Sequence, residues 1–303
     1  MKDPRIPVIF GPTASGKSAL ALALAERLGG AGKAEIVNAD SRQIYKYMPI
    51  IAACPTAEEY GRVPHHLYEF VAPDVRYSAG EYATEAARVL ADVVAKGKTP
   101  IVVGGTGLYL RALMEGMSPI PPIDDDVVAR VEAEVDIDVA AAYARLQQVD
   151  GAWAARIMPR DAQRIARGLS VWEGSGRTLT AWQGVKGQGA PFDFVKIGLC
   201  PPRPVLHERI IARWKQMAAA GVVDEIRGLK DRGYTPALGS MKGLGIPELF
   251  AYIEGTMPLE AALEAGLIAH RQYAKRQETW LRNQFGAEVV LEILDISKIE
   301  PYI

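Results

Sequence analysis

The chain has 303 residues, of which 49% are hydrophobic and 23% are charged, and its formal net charge is −1. This length and composition allow an α/β core together with a second, smaller unit. Cys54 and Cys200 are too few for a disulfide framework, and the four histidines show no zinc-ligand spacing with them. Because no apolar run reaches membrane-spanning length and no signal-peptide core is present, we expect a cytoplasmic protein without a membrane partner.

The first predicted element is the strand Ile6–Phe10, a short apolar run of the kind that is buried in a parallel sheet. It leads into Gly11–Ser18, which matches the pattern G-x-x-x-x-G-K-[ST] at each fixed position. Strong helix formers follow over Ala19–Leu28, and Gly29-Gly30 are expected to end that helix. Strand, loop and helix together predict a cradle for phosphate, although the pattern does not say whose phosphate is bound.

Each residue type in this predicted cradle has a way of holding phosphate. The backbone N–H groups of the loop would bind phosphate oxygens, Lys17 would add a positive charge, and the Ser18 hydroxyl would ligate Mg²⁺. The alternative is a glycine-rich loop that holds no ligand. The candidate phosphate-binding residues are Gly11, Thr13, Ala14, Ser15, Gly16, Lys17 and Ser18.

A second strand is predicted over Ala34–Asn38, and the acid Asp40 follows it. Ligands bind at the carboxyl edge of a doubly wound sheet, so Asp40 is expected beside the phosphate cradle. Asp40 is a candidate catalytic residue, but it could instead cap a helix or ligate Mg²⁺. An Asp of the Walker-B type would follow an unbroken apolar strand, whereas Asn38 interrupts this one.

A second strand–glycine–helix unit lies further along the chain. Residues 46–80 contain four prolines and are predicted to be irregular, and a helix is predicted over Ala79–Ala95. The strand Pro100–Val103 then leads through Gly104–Gly107 into another helix, so a second helix N-terminus is expected at the same cleft. Thr106 is either the N-cap of that helix or a hydrogen-bond donor to substrate.

Residues 117–186 differ in character from those on either side. A stiff, proline-rich linker begins them, and helical sequence follows with little strand signal until Phe192–Leu199, which returns the chain to the sheet. We predict that 117–186 is a helical insertion between the two parts of the sheet domain, 1–116 and 187–303. Within the insertion, Arg160, Arg164 and Arg167 recur at helical spacing, which predicts a basic face.

Charge is distributed unevenly along the chain. Residues 101–150 carry 3 Lys+Arg against 9 Asp+Glu, whereas residues 151–250 carry 15 against 8. A local basic surface can bind a polyanion even when the whole chain is nearly neutral, although an ordinary solvated face gives the same counts.

Two basic helices are predicted in the last third of the chain. Arg209 and Arg213 lie four residues apart, on a face that could reach the cradle as an arginine clamp or could be solvated. The helix Ala269–Gln284 is basic and carries Tyr273 and Trp280. Basic groups and rings suit looped or single-stranded RNA, but rings seven residues apart are also typical of core contacts on one apolar face.

Several motifs, taken in their order, resemble one family. They are Gly11–Ser18, Asp40–Lys46 (D-S-R-Q-I-Y-K), Pro64–Leu67 (P-H-H-L), Tyr77-Ser78, Gly104–Tyr109 (G-G-T-G-L-Y), Asp161–Arg167 and Arg271–Trp280. Over nearly its whole length the chain resembles the tRNA dimethylallyltransferases, also called isopentenyl-diphosphate:tRNA transferases. The first motif alone is shared by many families, whereas its combination with D-S-x-Q-x-Y-K and G-G-T-G-L-Y is specific.

The resemblance implies a fold and a reaction. The fold class is α/β, a P-loop NTPase-like parallel sheet flanked by helices with a helical insertion domain. The reaction is transfer of a dimethylallyl group from dimethylallyl diphosphate to N6 of the tRNA adenosine immediately 3′ of the anticodon, with release of pyrophosphate. Asp40 would be the base, Thr106 and Arg213 further catalytic residues, the loop Gly11–Ser18 the diphosphate site, and Ser18 the Mg²⁺ ligand.

The resemblance also implies a macromolecular partner, the anticodon arm of tRNA. The helical insertion and the helix Ala269–Gln284 would hold this arm from two sides, and we expect a monomer. The expected tRNA-binding residues are Asp40, Ser41, Arg42, Gln43, Thr106, Gln163, Arg164, Ile165, Ala166, Arg167, Arg271 and Lys275.

Two segments depart from the family pattern. Pro49–Pro55 stands in place of a D-I-G-T-A-K-P run and lacks its lysine, and Lys242–Glu248 stands in place of a G-Y-R-Q-like run and lacks its arginine. These changes affect the expected tRNA contacts, but neither touches the cradle or Asp40.

Two other functions would also use a phosphate-binding loop. A small-molecule or nucleotide kinase, the main alternative, explains the loop but leaves D-S-x-Q and the late basic helix without a use, and it lacks a Walker-B Asp here. An RNA-binding switch protein driven by ATP or GTP is the second alternative.

Overall fold

The computed structural model describes residues 5–303. The chain divides into two compact units, a sheet unit that runs to Met114 and resumes at Ala190–Ile303, and a helical unit, Glu115–Gly189. The helical unit therefore begins two residues before the predicted insertion of 117–186 and ends three residues after it.

The strands of the described residues form one six-stranded sheet in which every pair is parallel. The strands are β1 (Ile6–Phe10), β2 (Ala34–Asn38), β3 (His65–His66), β4 (Thr99–Gly104), β5 (Phe194–Leu199) and β6 (Val289–Leu291). Their order across the sheet is β3-β2-β4-β1-β5-β6. Because β1, β4 and β2 are neighbours, the loops that follow them meet at one edge. The predicted fold class, a parallel sheet flanked by helices, is confirmed.

The helices follow in chain order. They are α1 (Lys17–Arg27), α2 (Pro49–Ala52), α3 (Ala57–Arg62), α4 (Ala79–Ala95), α5 (Gly107–Glu115), α6 (Asp125–Ile137), α7 (Val139–Val149), α8 (Gly151–Ala154), α9 (Ala162–Ser175), α10 (Leu179–Gln183), α11 (Arg203–Ala219), α12 (Val222–Asp231), α13 (Ile246–Ile253) and α14 (Leu259–Trp280). A π-helical turn, Leu281–Phe285, extends α14. Short 3₁₀ turns lie at Gly30–Gly32, Gly239–Met241, Ile296–Lys298 and Glu300–Tyr302.

Both faces of the sheet are buried, as the apolar strand Ile6–Phe10 predicts. In β1, Val8 and Phe10 pack into one core with α4, α5 and α11–α14, whereas Ile9 packs into the other with α1. Alternation of side chains along a strand sends neighbours to opposite faces, so a strand that is apolar at every position requires helices on both sides. This arrangement holds β1 rigidly in the middle of the sheet.

Two predictions about elements were wrong, and one strand was missed. Residues 46–80 contain α2, α3 and β3 instead of irregular chain. A capping box at the start of α3, in which Thr56 and Glu59 bond each other's backbone N–H, nucleates a helix that the surrounding prolines concealed. The edge strand β6 was not predicted, and α14 begins ten residues before Ala269, at Leu259.

The helical unit has its own small core. Val131 from α6, Leu146 from α7 and Leu169 from α9 are completely buried in it. Asp161 begins α9 by accepting the N–H of Arg164, at 3.2 Å. Arg160 lies in the turn before α9, so the predicted face of three helical arginines is wrong for that residue.

Within residues 5–303, none of the helices combines the length and the apolar composition that spanning a lipid bilayer requires.

Candidate active site

The loop between β1 and α1 is shaped to receive an anion. Gly16 precedes α1 with φ at +99°, a left-handed conformation that favours glycine, and no side chain caps the helix there. The first N–H groups of α1 therefore lack a side-chain partner at the end of the helix that carries positive potential. Ser18 is exposed at this end, and Ser15 is buried with no hydrogen-bond partner for its Oγ among the described residues.

Two side chains from distant helices fix this loop. The Nη1 of Arg209, on α11, donates to the Ser15 carbonyl oxygen at 2.9 Å. The Oε1 of Gln277, on α14, accepts the N–H of Thr13 at 2.8 Å. Arg209 therefore stabilises the loop. Of the two alternatives for this arginine, a contact with the cradle or a solvated position, the contact with the cradle is the correct one.

Three charged side chains face one another beside the loop. Lys17 is buried, and burial lowers the pKa of its ammonium to about 8, while Asp40 opposes this shift and Arg213 adds to it. Burial also lowers the pKa of Arg213, against the opposing effect of Asp40. Lys17, Arg213 and Asp40 line the same cavity, so two cations and one carboxylate share one site.

Asp40 does not cap a helix, because residues 41–44 after it form turns and the next helix, α2, begins only at Pro49. Its Oδ1 accepts the N–H of Arg42 at 3.0 Å, an Asx turn that fixes the carboxylate. Asn38, completely buried at the end of β2, accepts the Asp40 N–H at 2.8 Å and donates to the Leu67 carbonyl at 2.9 Å. The polar residue that interrupts β2 is therefore the one that holds Asp40 in place. The second carboxylate oxygen, Oδ2, is turned toward Gly105, where an added Cβ would lie 3.3 Å from it.

The second glycine turn differs from the first, although both follow a strand and open a helix. The Thr106 N–H donates to the Ala39 carbonyl at 3.2 Å, and the Thr106 Oγ1 accepts the Ser41 N–H at 2.9 Å. The hydroxyl donates in turn to Ser41 Oγ, at 3.1 Å. Thr106 lies directly before α5, but its side chain bonds the loop after β2 instead of capping the helix. The turn holds the Asp40 loop, which the sequence pattern did not predict.

An apolar wall lines part of the same cavity. It is formed by side chains from the 48–52 segment, from α11 and from the start of α13 with the segment before it, namely Met48, Ile51, Ala52, Met217, Leu244 and Ile246. The two segments that depart from the family pattern both contribute to this wall. Cys54, which borders the adjoining groove, is not a reactive thiol, because burial raises its pKa above the usual value.

Two of the predicted tRNA-binding residues after Asp40, namely Arg42 and Gln43, form hydrogen bonds with other parts of this protein. The Arg42 guanidinium donates to the carbonyls of Gly239 and Ser240, at 3.3 and 3.0 Å. Gln43 is buried and donates to the Ala53 carbonyl at 2.6 Å. These bonds hold the segment against its neighbours, while Arg42 also lines the cavity.

The other predicted tRNA-binding residues lie on two helices, each in its own unit. On α14, Lys275 is exposed and Arg271 is half-buried, with no partner for its Nε among the described residues. On α9, Gln163 and Arg167 are exposed, as is Arg164, whose Nη1 lies 2.8 Å from Asp161 Oδ2. The two remaining residues, Ile165 and Ala166, are buried in the core of the helical unit, so they can influence tRNA only through the position of α9.

The sequence assigned no role to Gln277, although this residue lies inside the last of the family motifs. For Tyr273 it left two alternatives, a contact with RNA and a core contact. Tyr273 lines the cavity, and its hydroxyl donates to the Gly105 carbonyl at 3.4 Å. Trp280 packs on Phe10, with ring centroids 4.6 Å apart, so it is a core contact. The only available signal was the spacing of residues 270, 273, 277 and 280, which places them on one side of α14.

The parallel sheet, the loop Gly11–Ser18 and the cationic cleft beside it define a P-loop-type protein of the α/β class. Residues 43–284 match the family model described as IPP transferase. A tRNA dimethylallyltransferase from Parvibaculum lavamentivorans is 48% identical over 290 residues, which cover 95% of this chain and 91% of the relative. The chain belongs to the tRNA dimethylallyltransferase family.

Solved structures agree with this assignment. The tRNA isopentenylpyrophosphate transferase from Bacillus halodurans matches with a TM-score of 0.69 at 34% identity, covering 97% of this chain and 92% of that one. A eukaryotic dimethylallyltransferase acting on tRNA matches with a TM-score of 0.79 at 26% identity, covering 98% of this chain and 75% of that one. The fold is therefore that of the family across nearly the whole chain.

Proposed function

We propose that this protein transfers a dimethylallyl group from dimethylallyl diphosphate to N6 of the tRNA adenosine immediately 3′ of the anticodon, releasing pyrophosphate. One observation carries the proposal beyond family membership. A fixed carboxylate, Asp40, shares a single cavity with the cations Lys17 and Arg213 and with an apolar wall. Such a cavity offers a base, a cationic site for a leaving diphosphate, and space for a short hydrocarbon.

The diphosphate side uses the loop and its neighbours. Cleavage of the allylic C–O bond places negative charge on the departing pyrophosphate. Loop N–H groups, Lys17 and Arg213 are arranged to stabilise that charge, and preorganised donors of this kind are worth about 10²- to 10³-fold each.

Mg²⁺ fits the donors that are present. The exposed Ser18 hydroxyl and the Asp40 carboxylate both border the cavity, whereas no cluster of three or more His, Cys, Asp or Glu side chains that could hold a metal occurs within residues 5–303. Mg²⁺ is commonly held by one or two protein oxygens together with substrate phosphates and water, so Ser18 would supply its protein ligand. When bound, the ion would neutralise charge on the diphosphate.

Asp40 would act as the base for the adenine amine, which accepts the dimethylallyl group. The adenine amine is a weak nucleophile, because its lone pair is delocalised into the ring, and it loses a proton as the C–N bond forms. Asp40 Oδ1 is engaged by Arg42, and Oδ2 would accept this proton. The adenosine must leave the anticodon-loop stack to reach the cavity, and unstacking a loop base costs about a few kcal/mol.

The donor's tail is matched by the apolar wall. Met48, Ile51 and Leu244 are three of its side chains, and they line the same cavity as the cationic groups. Burial of five carbons against such a wall contributes about 0.8 kcal/mol per CH₂-sized group.

Basic residues on the two units would bind the tRNA backbone. We assign phosphate contacts to Arg271 and Lys275 on α14 and to Arg164 and Arg167 on α9, with Gln163 beside them. Phosphate contacts position a nucleic acid without reading its bases, so these side chains would hold the anticodon arm while the cavity selects the adenosine.

A three-way assay tests the proposal. The protein is incubated with labelled dimethylallyl diphosphate, ATP or GTP, with and without bulk tRNA. We expect label from dimethylallyl diphosphate to enter tRNA, and no nucleotide turnover. Turnover of ATP or GTP without prenyl transfer would favour a kinase or a nucleotide-driven switch and would overturn the proposal.

A further inference from the structure

Gln277 is a buried polar residue that none of the proposed chemical steps uses. It lies on α14, is 4% exposed, and has both ends of its amide hydrogen-bonded. Its Oε1 accepts the Thr13 N–H at 2.8 Å, and its Nε2 donates to the Gly105 carbonyl at 2.9 Å. One side chain therefore joins the loop after β1 to the loop after β4.

The contact with Gly105 is close enough to depend on glycine. A Cβ at Gly105 would lie 2.2 Å from Gln277 Nε2, far inside contact distance. The hydroxyl of Tyr273, one turn earlier on α14, donates to the same carbonyl at 3.4 Å. Two donors from one helix thus converge on a single carbonyl, which makes the glycine turn a docking point for α14.

From Gly105 the contacts continue to the proposed base. Thr106, the next residue, accepts the Ser41 N–H at 2.9 Å, and Ser41 directly follows Asp40. On the other side, Thr13 belongs to the loop that carries Lys17. Gln277 thus stands between the part of the site that would hold the diphosphate and the part that would receive the amine.

The helix that carries Gln277 is itself held firmly. Trp280 packs on Phe10, the last residue before the phosphate-binding loop, with ring centroids 4.6 Å apart. The buried carboxylate of Glu278 pairs with Arg203, at 3.0 Å, and with Arg282. A donor and an acceptor on a fixed helix can set a distance between two loops, which a mobile side chain cannot.

We propose that Gln277 is a positioning residue that sets the separation of the diphosphate loop from the Asp40–Thr106 side of the site. The proposal rests on the prenyl-transfer function proposed above. Gln277 touches neither reacting group, and it acts through Thr13 and Gly105. Misplacement of reacting groups by about 1 Å can cost about 10²-fold in rate, so the effect of removing the Gln277 amide should fall on turnover.

Two substitutions separate this role from simple support of the fold. Gln277→Met keeps the length of the side chain but removes the acceptor and the donor. Gln277→Glu keeps both functions only while the introduced carboxyl is protonated, because its O–H can then donate to the Gly105 carbonyl. Once ionised, the carboxylate has acceptors alone and repels that carbonyl. Burial raises the pKa of such a carboxyl toward neutrality, which brings this change into an accessible range.

The experiment measures kcat and KM for prenyl transfer between about pH 5.5 and 8.5, for both variants and the wild type, well below their unfolding temperatures. We expect kcat of Gln277→Met to fall about 10- to 100-fold at every pH, with each KM within about threefold. The activity of Gln277→Glu relative to wild type should rise at least about tenfold as the pH is lowered. Gln284→Met, at an exposed glutamine just beyond α14, should behave as wild type.

The results distinguish this inference from the function on which it rests. If the wild type transfers label to tRNA but Gln277→Met keeps kcat within about threefold, the positioning role is wrong and the function stands. A pH-independent ratio for Gln277→Glu would also overturn it. A lower unfolding temperature with normal kcat would assign Gln277 to stability alone. Absence of transfer by the wild type would reject the function itself.

Discussion

The two glycine turns at the carboxyl edge of the sheet share a sequence pattern but make different contacts. Each follows a buried parallel strand and opens a helix. In Gly11–Ser18 the first helical N–H groups lack a side-chain cap, and Lys17 and Ser18 border the cleft. In Gly104–Gly107 the polar groups bond Ala39, Ser41 and Gln277.

The difference shows that a strand–glycine–helix pattern does not by itself make an anion site, because the contacts of each turn decide which of its polar groups remain available to a ligand. The first turn has a lysine and an uncapped helix, so it can take a ligand. The second has no cation, and its carbonyl and hydroxyl are consumed by contacts within the fold. We infer that the first turn binds the diphosphate and that the second holds the loop of Asp40, which would accept the proton of the adenine amine.

The largest expected effect comes from the residue that the second turn holds. Asp40→Asn keeps the Asx turn, because Asn can also accept the Arg42 N–H, but it removes the basic oxygen. Single-turnover transfer should fall about 10²- to 10⁴-fold, with much smaller changes in tRNA affinity.

Measuring Asp40→Asn at low and high Mg²⁺ separates a base from a metal ligand. Substantial recovery at high Mg²⁺ would assign Asp40 to the metal. Activity within about tenfold of wild type at both concentrations would remove the base role. Asp231→Asn, an exposed acid at the end of α12, is the matched control and should leave transfer unchanged.

The next effect in size lies in the first turn. Lys17→Ala removes the one cationic side chain of Gly11–Ser18, so transfer should fall about 10²- to 10³-fold and diphosphate affinity should weaken, while tRNA affinity is retained. Titration calorimetry with a non-reactive diphosphate analogue measures the first affinity, and filter binding measures the second. Lys215→Ala, at an exposed lysine of α11, is the control. Near-normal turnover at saturating donor would show that the loop is assigned wrongly.

A substitution in the second turn should give the opposite pattern. In Gly105→Ala the new Cβ would collide with Gln277, at 2.2 Å, and press on Asp40. Turnover should fall about 10- to 100-fold while diphosphate affinity stays near that of wild type. Gly61→Ala, at a glycine with open space around it and ordinary φ, is the control. If Gly105→Ala weakens diphosphate affinity to the same degree as Lys17→Ala, the two turns do not have separate roles in diphosphate binding and in holding the Asp40 loop.

The pH dependence sharpens the role of the first turn. The pKa of Lys17 is lowered to about 8 in the free protein, so the ammonium is present below that pH and is deprotonated as pH rises through it. Affinity for a diphosphate should therefore be constant near neutrality and weaken above about pH 8, by at most about tenfold per pH unit. Lys17→Ala should show no such loss of diphosphate affinity at high pH. An equal loss in that variant would assign the pH dependence to another group.

The smallest effects are expected on the two basic helices. Arg164→Ala and Arg271→Ala should weaken tRNA binding and reduce the log–log dependence of affinity on salt by about 0.7–0.9 for each phosphate that the protein no longer neutralises. Diphosphate affinity should not change. A salt dependence equal to that of wild type in both variants would return these arginines to the ordinary solvated surface.

Much of the molecule could be predicted from the sequence because local patterns encode it. The strands Ile6–Phe10 and Ala34–Asn38 were predicted to the residue, since buried parallel strands are apolar and short. The P-loop was visible because its chemistry depends on residues that are contiguous in the chain. Asp40 could be placed because the carboxyl ends of parallel strands meet at one edge.

The remainder depends on contacts between distant residues. The role of Gln277 needs Thr13, 264 residues away, and Gly105, 172 residues away. Arg209 could not be told from a solvated arginine until the fold brought it to Ser15. The task of Thr106 depends on Ser41, which only the pairing of β2 with β4 brings close. No single-sequence pattern carries this information, since helical spacing shows which residues share a face but not what that face meets.

The measurement that tests the proposed reaction most directly is nucleoside analysis of tRNA after incubation with the protein and dimethylallyl diphosphate. The substrate is a transcript with adenosine 3′ of the anticodon, compared with one that carries guanosine there. The modified nucleoside should be N6-dimethylallyladenosine, found at that position and only in the first transcript. Modification at another position, or an equal yield from both transcripts, would contradict the assignment of the cavity to that adenosine.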